Sequence, residues 1–248
     1  MNTAVLCIEG LRVERRDGER RFCLEVPQFV LEAGARVALV GPSGSGKSTL
    51  MEVLALASPP AQVARFVLTD TAGTVHDVRD YWHRQDDEAL TRLRARALGY
   101  VQQRAGLPGF LRVDEILQLG LRLAQGPTAP DPAAARQWCE RLGIGAAWRA
   151  LPAHLSVGQC QRVAVARALI HRPSLVLADE ATAALDRQAA EAVMRQLVEL
   201  AESGGSALLL ATHDEALAQA FGFTPVRVEI HPQAQGQLTR VPPTQGGA

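Results

Sequence analysis

Gly41-Pro42-Ser43-Gly44-Ser45-Gly46-Lys47-Ser48-Thr49 is the stretch on which the reading of this chain turns. Its spacing is G-x-x-x-x-G-K-[ST], the pattern of a phosphate-binding loop. The apolar run Arg36-Val37-Ala38-Leu39-Val40 before it reads as a short buried strand, and Thr49 to Leu56 after it reads as a helix. Strand, loop and helix are the context the motif requires. Gly41, Gly44 and Gly46 allow a tight turn with backbone N–H groups pointing inward. The following helix N-terminus adds about half a positive charge at the same place. Such a cup fits a polyphosphate, with Lys47 on the β/γ oxygens and Ser48 on Mg²⁺.

Composition sharpens this. The chain has 26 Lys+Arg residues, and Lys47 is the only lysine among them. A compact ammonium suits a crowded loop where a wide guanidinium fork does not. The 248 residues are enough for one large domain, or one domain with a sub-domain insert. A formal net charge of zero predicts no nucleic-acid partner and no preference for anionic membranes. Cys7, Cys23, Cys139 and Cys160 are scattered without a C-x-x-C, which argues against zinc and disulfides and for reduced thiols in the cytosol. No secretory leader is visible, and no apolar stretch approaches the ~18 residues of a membrane span.

Along the chain, Ala4 to Glu14 and Phe22 to Leu31 read as strands around the turn Arg16-Asp17-Gly18. Arg65 to Thr69 and Thr74 to Val78 read as a hairpin. Asp86 to Arg96 is helical and leads into a strand at Leu98 to Gln102. Helices follow at Val113 to Ala124, Ala133 to Leu142 and Ser156 to Ile170, with prolines 127, 130 and 132 breaking the chain between the first two. Leu175 to Ala178 is an apolar strand ending in Asp179-Glu180. Arg187 to Glu202 is a helix, Ala207 to Ala211 a strand ending at Thr212-His213, Asp214 to Phe221 a short helix, and Val226 to Ile230 a last strand. Alternating strands and helices predict an α/β fold with a mostly parallel sheet. The expected domain runs over 1–231, with N-terminal antiparallel strands and an inserted helical sub-domain at about 113–172. Residues 232–248, rich in Pro, Gln and Gly, read as a mobile tail.

Two carboxylates at the end of a buried strand stand where α/β sheets bind ligands. Asp179 suits a hold on Mg²⁺, and Glu180 is placed to polarise a water against a terminal phosphate. Ser156 opens a second helix N-terminus, a second place for an anion.

Leu155-Ser156-Val157-Gly158-Gln159-Cys160-Gln161-Arg162-Val163-Ala164 closely resembles the signature motif of the ABC ATPases. The order of phosphate loop, glutamine strand, signature, Asp-Glu strand and histidine strand is also that family's order, and the resemblance covers about Ala4 to Ile230. It implies a P-loop NTPase core using ATP and Mg²⁺. It implies that Gln103 joins the sheet to the helical sub-domain and senses Mg²⁺ and water, and that His213 contacts the γ-phosphate. Ser156, Gly158 and Gln159 are then expected on the nucleotide of an opposite subunit, a second copy or a paralogue, and Asp186 in Ala184-Leu185-Asp186 reaches that partner. The expected remaining partners are integral membrane permease subunits, with the chain held on the cytoplasmic face of the inner membrane.

Three departures stand out. Val157 replaces a usual glycine, Ala181 a common proline, and the aromatic residue expected near Arg15-Arg16 is missing, leaving Arg15, Arg16 or Phe22 to stack on the base. Arg92 to Gln103 and Ala178 resemble the lipoprotein-releasing and macrolide-efflux branch. The same ATPase serving mechanical signalling rather than transport is the main alternative. A soluble DNA-repair or translation ATPase lacks its coiled-coil insert or second ATPase unit here, and a P-loop kinase lacks a reason for the signature helix.

Overall fold

The computed structural model describes residues 4–17, 20–126, 132–233 and 236–244. The hairpin of β1 (Ala4–Asp17) and β2 (Arg20–Glu32) opens the chain, with Gly18 of the expected turn lying outside the described residues. β3 (Arg36–Val40) runs into the loop and α1 (Lys47–Leu54). β4 (Arg65–Thr69) and β5 (Val75–Asp77) form the expected hairpin, followed by a short helix not foreseen, α2 (Val78–His83). Asp77 caps it by accepting from the Asp80 N–H. α3 (Asp87–Ala97) leads into β6 (Leu98–Val101).

A helical layer follows: α4 (Val113–Gln125), α5 (Pro132–Arg141) and α6 (Val157–Leu169). Pro132 begins α5 as expected, while Pro127 and Pro130 lie outside the described residues. Then come β7 (Leu175–Asp179), α7 (Arg187–Gly204), β8 (Ala207–Thr212), α8 (Glu215–Ala220), β9 (Thr224–Arg227), β10 (Glu229–Gln233) and β11 (Gly236–Arg240).

Two sheets result. One is parallel throughout, in the order β6-β7-β8-β3-β9; the other is mainly antiparallel, β10-β11-β2-β1-β4-β5. The parallel sheet is covered on both faces, which is why β7 and β8 are unbroken apolar runs. The two-residue strand period divides its side chains cleanly. Val176, Ala178, Leu208 and Leu210 join the core under the helical layer. Leu175, Leu177, Leu209 and Ala211 join the core shared with α1 and the antiparallel sheet.

Two expectations near the C-terminus fail. The single strand Val226 to Ile230 is two strands in different sheets. The chain crosses over at Val228, whose N–H donates to Val40 O at 2.8 Å. The tail read as mobile is folded from 236 to 244. β11 pairs parallel with β2, Thr239 and Val241 are buried, and Thr244 Oγ1 accepts from Val30 N–H at 2.8 Å. Residues 245–248 lie outside the described residues. The partner strand is some two hundred residues away, so local composition carries no trace of this pairing.

Candidate functional site

Parallel strands in register deliver their carboxyl ends to one edge. Val40 pairs with Thr212, and Ala211 with Asp179, so the glycine loop, Asp179-Glu180 and Thr212-His213 meet there. Gly41 N–H donates to Thr212 O at 3.3 Å, tying the loop to β8. Gly46 has φ 90° and precedes α1, a left-handed conformation that glycine alone adopts freely. Its missing side chain also matters, because a Cβ there falls 2.4 Å from Phe22 Cζ.

The loop borders a cavity of about 430 Å³, lined by Ser43, Gly44, Gly46, Lys47, Ser48, Thr49, Gln103 and Glu180 together with Arg15 and Phe22. Lys47 is folded back onto the loop. Its Nζ donates to Gly41 O at 2.7 Å and Pro42 O at 2.9 Å, and the side chain is only 4% exposed. Burial lowers its pKa, opposed by the charges of Glu180 and Asp179.

Glu180 stands between the Lys47 ammonium and the His213 ring, with Oε1 3.8 Å from Lys47 Nζ and 3.8 Å from His213 Nδ1. Its backbone is strained: φ is +45°, costing about 1–3 kcal/mol for a residue with a Cβ. The strain is held by Glu180 N–H donating to Ala211 O at 2.9 Å and Glu180 O accepting from Ala183 N–H at 3.0 Å. Glu180 also lines a second cavity, of about 690 Å³, together with Thr212, His213 and residues of α7 and α8.

Asp179 is 8% exposed, and burial raises its pKa against the hydrogen bond from the Ser48 hydroxyl. Tyr100 donates to it as well, and burial beside that carboxylate pushes the Tyr100 hydroxyl up. Asp179 Oδ1 is buried with no hydrogen-bond partner among the described residues. An orphaned carboxylate oxygen next to a hydroxyl is a hard-oxygen pair suited to Mg²⁺. The residues present therefore fit that ion.

The chain carries further marks of its lineage. Residues 24–183 match the family model described as ABC transporter. The chain belongs to the ABC transporter family. It is an ATP-binding cassette subunit that hydrolyses ATP and energises a transporter. It is 36% identical over 219 residues to the lipoprotein-releasing system ATP-binding protein LolD of Hydrogenovibrio crunogenus, covering 88% of this chain and 91% of that one. It is 38% identical over 192 residues to the uncharacterized ABC transporter ATP-binding protein YbbA of Escherichia coli, covering 77% and 79%. Among solved structures it resembles the dimeric post-hydrolysis state of the cassette MJ0796 bound to ADP and Pi. The TM-score there is 0.75 at 27% identity, over 90% of this chain and 93% of that one. Among the described residues no helix is long and apolar enough to cross a membrane.

Within this ABC ATPase the signature lies apart from the phosphate loop. Ser156 caps α6 by accepting from Gln159 N–H at 3.2 Å, and Gln159 Oε1 accepts from Ser156 N–H at 2.9 Å, a reciprocal capping box. A Cβ added to Gly158 meets nothing within 4 Å, and Val157 is 61% exposed. None of Ser156, Gly158 and Gln159 lines the cavity at Lys47. Asp186 caps α7, accepting from Ala189 N–H at 2.9 Å, and is likewise absent from that cavity.

Two residues escaped the sequence reading as site residues. Gln161 Nε2 donates to Gln102 O at 3.2 Å, and Arg167 Nη1 to Gly106 O at 2.8 Å. Both lie on α6 and pin the loop that carries Gln103. Their helical spacing was visible, but not the loop they meet.

Asp179 supports a prediction with two signs. A carboxyl whose pKa is raised by burial makes the folded protein bind its proton more tightly, so the cost of its charge is full at neutral pH. Asp179→Asn is therefore expected to raise the melting temperature of the nucleotide-free protein. The same change is expected to weaken Mg²⁺ dependence of turnover by about 10–100-fold in metal affinity. Calorimetry without nucleotide and a magnesium titration of phosphate release check both signs; a lower melting temperature contradicts the burial argument.

Proposed function

We propose that two cassettes, copies of this chain or this chain and a paralogous subunit, close head to tail around ATP. The supporting observation is that one chain holds one phosphate loop and one signature helix that do not face each other across a shared cavity. In the closed pair, Ser156, Gly158 and Gln159 of one copy meet the γ-phosphate bound at Lys47 of the other, and Asp186 meets the facing subunit. ATP then adds to dimer stability by mass action, and hydrolysis removes the bridge.

In this reading the loop from Gly41 to Thr49 binds the phosphates, with backbone N–H groups from Ser43 onward completing the cup beside Pro42, which has none. Lys47 swings from its carbonyl partners to the β/γ oxygens. Ser48, Asp179 and Gln103 hold Mg²⁺, which when bound offsets charge on the phosphates. Glu180 takes the proton of the attacking water, and His213 steadies the γ-phosphate. Opening and closing moves integral membrane permease subunits docked near Gln103, with the cassette at the cytoplasmic face of the inner membrane. The Hydrogenovibrio crunogenus relative, named for lipoprotein release, supports a place in that branch.

The shared site is tested by mixing two inactive variants. Lys47→Ala spoils the loop and Ser156→Arg spoils the signature, each in both sites of its own dimer. A mixed dimer keeps one site in which both halves are intact. Mixing is expected to restore phosphate release that neither variant shows alone. If the mixture stays as dead as its parts, the head-to-tail site is wrong.

A further inference from the structure

The helical layer holds a second concentration of charge, remote in sequence from the phosphate loop. α4 starts against residues 148–150: Val113 N–H donates to Ala150 O at 3.0 Å, and Asp114 N–H to Trp148 O at 3.0 Å. This docking buries the Asp114 carboxylate, whose side chain is 4% exposed. Two guanidinium groups from separate segments close on it. Arg112 Nε donates to Oδ1 at 3.1 Å and Arg149 Nη1 to Oδ2 at 2.8 Å. One carboxylate held from both sides fixes the position of both arginines. Arg112 also pairs with Glu115 at 3.0 Å. Arg149 Nε and Nη2 have no acceptor among the described residues.

These groups border a cavity of about 850 Å³, within the size range of small-ligand sites. Its wall also carries Arg122 of α4 and Arg136 of α5. Arg136 pairs with Glu140 at 3.4 Å, and Arg122 is exposed with no carboxylate partner among the described residues. The lining holds four arginines against two carboxylates, and arginine already engages both of those. The chain as a whole has a formal net charge of zero, so the excess is local.

Guanidinium forks bind the oxygens of carboxylates and phosphates in pairs. A carboxylate offers two oxygens in one plane. A phosphate group offers three in different directions, with up to two charges, and so meets forks that come from several walls. Trp148 and Leu119 add an apolar side to the same cavity, against which the rest of such a ligand fits.

We propose that this cavity binds a phosphate-bearing ligand, held by Arg122 and Arg149 with Arg112 and Arg136. It shares no lining residue with the cavity at Lys47, so it is a second site and not an extension of the first. A ligand there joins α4, α5 and residues 148–149 and stiffens the helical layer. Soluble phosphate esters and the headgroups of anionic phospholipids both carry the required group.

The test uses two probes, inorganic pyrophosphate by calorimetry and vesicles of phosphatidylglycerol against vesicles of phosphatidylcholine by cosedimentation. Both are run at about 0.15 M salt, where exposed charges are largely screened. The parent is full-length Lys47→Ala, whose phosphate loop is spoiled, so that pyrophosphate it binds is held elsewhere. Arg122→Ala removes a guanidinium that holds no carboxylate. Arg149→Lys keeps a charge beside buried Asp114 and removes only the fork. Each is expected to weaken binding by about 10–100-fold relative to the parent, the worth of one charge-assisted hydrogen bond.

Pyrophosphate binding that both substitutions weaken supports the site with a soluble ligand. Cosedimentation with phosphatidylglycerol alone, lost with the same substitutions, supports it with a lipid headgroup. A parent that takes neither probe overturns the proposal. Binding of either probe that both substitutions leave unchanged overturns it as well, because the phosphate then sits elsewhere.

Discussion

Glu180→Gln is expected to cut phosphate release by about 10²–10⁴-fold, the usual worth of a positioned general base. The substitution keeps the shape of the side chain, so the hydrogen bonds of Glu180 N–H to Ala211 O and of Ala183 N–H to Glu180 O persist. What is lost is a group able to take a proton. What is also lost is a negative charge that faces both Lys47 and His213 at 3.8 Å and stands near incoming phosphate. Removing that repulsion leaves nucleotide binding intact or tighter. The variant is therefore expected to dimerise with ATP and remain closed, because the bridge is no longer consumed. Steady-state phosphate release and size-exclusion chromatography with ATP and Mg²⁺ separate the two effects. Wild-type turnover in Glu180→Gln removes Glu180 from the chemistry.

Lys47→Arg is expected to be nearly as damaging as Lys47→Ala, with kcat/KM for ATP down by about 10²-fold or more in both. In a chain with a single lysine among 26 basic residues, this is the conservative change with the least room. The ammonium sits between Gly41 O and Pro42 O with its side chain 4% exposed. Burial already lowers the lysine pKa, so the pocket is costly for any cation. A guanidinium is wider and stays protonated, so it carries that cost in full and does not fit the same slot. Displaced, it blocks the loop through which the phosphates enter. Binding of a fluorescent ATP analogue by both variants, with turnover, checks this. If Lys47→Arg binds and turns over ATP like the wild type, the steric argument fails.

The elements of the site differ in how far they were legible. The phosphate loop, Asp179-Glu180 and Thr212-His213 are each a short motif at the end of an apolar strand, and strand ends can be read from local hydrophobicity. Ser156 as a helix cap was equally local, and the structure shows the full capping box. The split of Val226 to Ile230 between two sheets was not legible, because both halves have the same strand composition and only the Val228 crossover separates them. The folded hairpin at the C-terminus was missed for a related reason. Its Pro, Gln and Gly content lowers local strand propensity, while its stability comes from pairing with β2 and from the burial of Thr239 and Val241.

The order of motifs along the chain was enough to establish the family and the parallel core, since each depends on residue types at fixed short spacings. The tertiary structure alone decided which distant groups share a space. It placed Gln161 and Arg167 on the Gln103 loop, bent Lys47 back onto the carbonyls of Gly41 and Pro42, left one Asp179 oxygen without a partner among the described residues, and seated β11 on β2. Those outcomes depend on the register of strands far apart in sequence. Register is settled by the packing of whole faces against one another, and no short window of sequence contains it.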